Sequence, residues 1–115
     1  MLSLLFASRD FAHIAHLNTD NDAAHRALGA FYDGIIEQAD SLAEMWMGKN
    51  LERVGVVEAT VPRLGEDPVE GMQWFLDEVA ALRDDVAEDD TTLQNQMDSI
   101  VGLFYTTIFK LQFLK

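Results

Sequence analysis

Two imidazoles and a pair of carboxylates are the side chains whose types and spacing suit chemistry. His16 leads into a turn, Asn18-Thr19-Asp20-Asn21, and His25, Asp40 and Glu44 follow on one long helical stretch. Asp40 and Glu44 are four residues apart, so they share a helix face and can clamp one cation between them. Imidazole and carboxylate donors suit Fe(II), Mn(II) and Zn(II) alike. His25 precedes Asp40 by fifteen residues, roughly 22 Å along an α-helix at about 1.5 Å per residue. One chain therefore cannot close a site from His25 and Asp40. A two-fold partner whose helix runs antiparallel would set His25 of one copy beside Asp40 and Glu44 of the other, and symmetry would repeat the site. The axis would pass near Tyr32 and Asp33. Gly29 and Gly34 flank that midpoint, where small residues would let two helix backbones approach.

The elements that must position these groups read as helices. Residues 2–16 repeat apolar groups at helical spacing (Leu4, Leu5, Ala7, Phe11, Ala12, Ala15), with His13 and His16 at i, i+3. Asn18 to Asp22 is a cluster of turn and cap formers. The second helix is predicted from about Asp22 to Met47, with an apolar stripe of Ala24, Leu28, Phe31, Ile35, Ala39, Leu42 and Trp46 and with Gly48 as its C′ residue. His25, Gly29, Ile36, Asp40 and Glu44 form a neighbouring stripe. Residues 49–66 break the helical pattern. Their Val54-Gly55-Val56-Val57 and Ala59-Thr60-Val61 runs are compatible with extended chain or a short helix, and their length fits a crossover along a bundle. Asp67-Pro68-Val69-Glu70 opens a third helix with an N-cap, Pro at N1 and Glu at N3. Glu88-Asp89-Asp90 reads as an exposed charged turn. Thr91-Thr92-Leu93-Gln94 reads as the capping box of a fourth helix carrying Leu93, Met97, Ile100, Val101, Phe104, Ile108 and Leu111.

Short, long and short connections make helices two and three parallel. The predicted fold is all-α: a ferritin-like four-helix bundle with a long crossover between helices 2 and 3, in one domain over 1–115. An apolar content of 49% supplies one modest core. The absence of cysteine excludes disulfides, thiolate metal sites and thiol catalysis. A formal net charge of −12, from 20 acidic and 8 basic residues, repels phosphate backbones and argues against nucleic-acid binding. No stretch reaches about 18 consecutive apolar residues, so no membrane span or membrane partner is expected, and a cytoplasmic location follows. No P-loop, Ser/His/Asp set or Gly-rich phosphate cradle is present to support nucleotide, triad or hydride chemistry.

Three runs carry a family resemblance: His13-Ile14-Ala15-His16-Leu17, Ala24-His25-Arg26-Ala27-Leu28 and Ala39-Asp40-Ser41-Leu42-Ala43-Glu44. They resemble the Dps-like mini-ferritins. With Leu93-Gln94-Asn95-Gln96-Met97-Asp98 and Lys110-Leu111, they are more similar still to a small Dps-like family encoded by tailed bacteriophages and of unassigned function. The resemblance implies iron held between two-fold related subunits. One subunit gives two histidines, here His16 and His25, and the other an Asp and a Glu, here Asp40 and Glu44. Two departures stand out. Gly29 replaces the carboxylate usual four residues after the second histidine, and the His16 to His25 interval is shorter than usual. The site is then short of one bridging ligand, which argues against a full second metal position and the oxidation chemistry that needs it. The basic tails through which Dps shells bind DNA are also missing.

Two functional readings follow. One is a Dps-like homodimer or larger homo-oligomer with an iron site at its two-fold, Mn or Zn being alternatives, for iron handling or for structure. The other is a metal-free helical module that binds a protein partner, such as a phage protein meeting a host or virion component, in the host cytoplasm or the virion. The duller readings of the same residues are interface or capping histidines and a solvated acidic face.

Overall fold

The computed structural model describes residues 1–115. It contains four helices and no strand: α1 (Leu2–Asn18), α2 (Asp22–Asn50), α3 (Pro68–Ala87) and α4 (Thr91–Phe113). Their order around the bundle is α1, α2, α4, α3, and back to α1. Cross-helix pairs give the directions. His13 and His16 of α1 meet Tyr32 and His25 of α2, and Gln96 and Phe104 of α4 meet Gln38 and Phe31 of α2. Phe11 of α1 packs on Phe75 of α3. Neighbours therefore run antiparallel, and the diagonal pair α2 and α3 is parallel, which is the connectivity expected from the loop lengths. No helix is long and apolar enough to cross a membrane.

The expected stripes form the core. Phe31, Phe75 and Phe104 are its largest fully buried side chains, with Leu5, Leu28, Ile35, Met72, Met97 and Ile100 around them. Two buried hydroxyls spend their protons on carbonyls of their own helix, Ser8 on Leu5 and Thr107 on Leu103. No buried side-chain polar atom lacks a partner.

Helix ends follow side-chain chemistry, with two corrections. Asn21 accepts from the Ala24 N–H to start α2, and Asp67 accepts from the Val69 N–H to start α3. The expected C′ role of Gly48 is not taken. The helix continues through Gly48 to Asn50, and Leu51 adopts the left-handed conformation at φ 55°. The cap of α4 is Asp90 rather than Thr91. Its carboxylate accepts from the Leu93 N–H and sits 3.5 Å from Lys49 at the end of α2. That N–H, more than Lys49, holds Asp90 below its ordinary carboxylate value. Gln94 is thereby released from the box. Its amide donates to Glu88 O, and its side-chain and main-chain oxygens accept from Arg83, which also pairs with Asp98.

Residues 51–67 contain neither helix nor strand and carry the chain from the end of α2 back to the start of α3. Val61 and Leu64 pack against the core. The segment lies over the α1–α3 side: one of its ends adjoins Met1 and Val86, the other Phe11 and Ile14. His25, Asp40 and Glu44 stay exposed on the outer side of α2.

Gly71 shows how close α1 and α3 lie. A Cβ there would collide with the Phe11 ring. Alanine gains about 1 kcal/mol in helix propensity over glycine, but overpacking a filled core costs about 1–3 kcal/mol. Gly71→Ala is expected to lower stability by about 1 kcal/mol or more in urea unfolding, despite the better helix former.

A histidine pair on the α1–α2 face

His16 lies in the last turn of α1 and His25 in the first turn of α2. The turn of Thr19, Asp20 and Asn21 brings them together. Their rings stack with centroids 3.6 Å apart and planes 20° from parallel. Each ring also binds the other residue's backbone: His16 Nδ1 lies 2.5 Å from His25 O, and His25 Nδ1 lies 2.9 Å from His16 O. A carbonyl oxygen only accepts, so both Nδ1 atoms carry the proton and donate it. In the neutral ring this leaves Nε2 as the lone-pair nitrogen. It is the arrangement usual for metal-binding histidine, whose second ring nitrogen is tied to a carbonyl or carboxylate that fixes the tautomer.

The pair belongs to a larger stack. His13 lies on Tyr32 with centroids 4.3 Å apart, Tyr32 meets the His16 ring edge-on at 5.3 Å, and the Arg9 guanidinium is 5.7 Å from the Tyr32 ring. Arg9 also pairs with Asp10 at 2.9 Å. Sequence reasoning placed Tyr32 at a dimer axis and did not join it to the histidines. The signal was present: Arg9, His13 and His16 recur at i, i+4 and i+7 on α1, as His25 and Tyr32 do at i, i+7 on α2.

The space beside Gly29 and Gly34 is occupied by side chains of the same chain. A Cβ at Gly29 would lie 3.2 Å from Cε1 of His16, and one at Gly34 would lie 3.3 Å from Leu103 of α4. Both glycines serve packing within the chain. A carboxylate side chain at 29 would crowd the His16 ring, which gives a physical reason for glycine at that place.

Asp40 and Glu44 are exposed on α2. Neither makes a salt bridge or a side-chain hydrogen bond within the chain. Glu44 borders a shallow depression that Arg53 also lines. No three His, Asp or Glu side chains of one chain come together to hold a metal ion. The chain alone thus joins His16 to His25 and leaves Asp40 and Glu44 further along the rod.

The paired bonds dictate the tautomers. Long-range ¹H–¹⁵N spectra of the neutral imidazoles should show proton-bearing Nδ1 in both His16 and His25. A dominant Nε2–H form of either would contradict the geometry.

The chain is similar to an uncharacterized 14.6 kDa protein from the mobD-ri intergenic region of Enterobacteria phage T4. The two are 24% identical over 110 residues, spanning 96% of this chain and 84% of the phage protein. No solved structure matches it. A family model matches residues 16–111, the span from the first histidine of the pair to the last buried leucine of α4, and the chain belongs to that family, described as a family of unknown function (DUF5856).

Proposed function

We propose that this protein is a ferritin-like homodimer, or a larger homo-oligomer, that holds a divalent metal at its two-fold. His16 and His25 of one subunit would supply imidazole Nε2 atoms, and the partner's Asp40 and Glu44 would supply carboxylate oxygens. The observation that carries this reading is the reciprocal Nδ1–H to carbonyl bonding of the two histidines. It fixes the tautomer of both rings and keeps Nε2 as the available donor in each. The donor set, two imidazoles and two carboxylates, fits iron, and fits manganese or zinc as well.

Three further features support it. Asp40 and Glu44 are an i, i+4 like-charge pair with no cation of their own chain bound to them, and a metal would relieve their repulsion. His25, Asp40 and Glu44 are all exposed, so a second copy could reach them. An antiparallel pairing across that face superposes the two ends of α2, which is what the fifteen-residue interval requires. Bound iron would supply redox chemistry toward O₂. The chain's own residues bind and orient it, and Gly29 leaves no carboxylate beside His25 to bridge a second ion. The likeness to a phage T4 protein supports a phage origin, under which the protein would act in an infected cell or a virion.

The purified protein should retain Fe(II), Mn(II) or Zn(II) after anaerobic loading and desalting, as measured by elemental analysis. His25→Ala and Asp40→Ala should each lose the metal while keeping the helical circular dichroism of the parent. A parent protein that retains no metal, or a variant pair that retains it fully, would overturn the reading.

A further inference from the structure

The C-terminal half of α4 differs from the rest of the surface. Tyr105, Phe109 and Phe113 recur at i, i+4 and i+8 and are 62%, 53% and 70% exposed. Phe109 and Phe113 lie against each other with tilted rings whose centroids are 5.5 Å apart, so they form one apolar ridge. Residues 99–115 contain two lysines, Lys110 and Lys115, and no Asp or Glu, in a chain with 20 acidic residues. Lys110 is not among the cations paired within the chain. An exposed, contiguous aromatic ridge of this kind marks an interaction site rather than ordinary surface.

A complementary surface lies on the same molecule. A groove of about 630 Å³ opens between the start of α1, the late part of α2, the end of α3 and the crossover. Leu42, Trp46, Val54, Val56 and Val57 give it apolar walls, and Glu58 and Asp85 give it acidic ones, with no Lys or Arg among its lining residues. Met1 also borders it. The volume is in the range that takes drug-sized groups, so two phenyl rings fit within it.

The two surfaces sit at opposite ends of a molecule 45 Å long. Asp90, at the start of α4, binds Lys49 at the groove end, and α4 then runs 23 residues away from it, roughly 34 Å at helical rise. The tail of α4 therefore cannot fill the groove of its own chain. We propose that the groove receives the Phe109–Phe113 ridge of a second copy, with Lys110 set against Glu58 and Asp85, in a head-to-tail contact distinct from the α1–α2 face. The occupant is this chain because both halves of the match, apolar shape and opposite charge, are present on it. A head-to-tail contact uses two different patches, so it builds a ring if the rotation closes and a filament if it does not.

Sedimentation velocity of the full chain over a concentration series is the test. The parent should form species larger than a dimer. Phe109→Ser and Lys110→Glu, both at exposed positions, should abolish them, and Lys110→Glu combined with Asp85→Lys should restore them. A photo-crosslinking phenylalanine analogue at position 109 should couple to a peptide from the 54–58 segment of another copy. Assembly unchanged by either single variant, no species beyond a dimer, or crosslinks confined to other segments would overturn the proposal. Metal retention at the α1–α2 face is read separately and should be the same in these variants, so failure here is distinguishable from failure of the metal reading.

Discussion

Each of His16 and His25 donates its Nδ1 proton to the other's backbone carbonyl, and this mutual bond is the constraint from which the rest of the α1–α2 face follows. It joins the last turn of α1 to the first turn of α2 across a very short connection. It keeps position 29 small, because any side chain there meets the His16 ring. It also anchors one end of the stack through Tyr32, His13 and Arg9. In stability terms each such bond contributes about 0.5–1.5 kcal/mol net, and a ring pair about 0.5–1.5 kcal/mol more. Those are modest amounts for a bundle with a full apolar core. The larger consequence is orientation: two imidazoles are held in one tautomer, which hydrophobic packing alone does not enforce.

The bundle leaves His25, Asp40 and Glu44 exposed. With α1, α2, α4 and α3 in ring order, the return path from α2 to α3 passes over the α1–α3 side. Had the crossover lain across α1 and α2, it would have covered the histidines. The distance between the histidines and the carboxylates follows from the length of α2, whose 29 residues span roughly 43 Å at helical rise. Such a rod separates groups that a compact active site would gather, so under the proposed reading a symmetric partner would have to bring them together.

Much of the architecture was legible in the sequence because it rests on local signals. The i+3/i+4 stripes named the core of α2 almost residue for residue, Asp67-Pro68 marked the start of α3, and loop lengths implied parallel α2 and α3. What failed involved competition between neighbours or contacts across helices. Gly48 looked like a terminator, but nothing nearby obliges the helix to end there, and Leu51 takes the left-handed position. Thr91 looked like a cap, but the Asp90 carboxylate one residue earlier accepts the Leu93 N–H and takes that place. Gly29 and Gly34 suggested close helix approach, and the fold adds that each faces a side chain from another helix of the same chain. Spacing says which face a residue occupies, and it does not say what lies opposite. The reciprocal bonding of His16 and His25 is of this second kind: the residues were named, and their mutual geometry needed the fold.

Division of the proposed metal site between two copies of the chain is tested most directly by subunit complementation. His16→Ala/His25→Ala protein and Asp40→Asn/Glu44→Gln protein would be mixed, dissociated and reassociated, and retained metal measured against the parent. Each variant alone should retain none. In the mixture half of the dimers are hybrids, and each hybrid holds one intact site of two, so about a quarter of the parent's metal should return. No recovery on mixing, or full retention by either variant alone, would contradict a site shared across a two-fold.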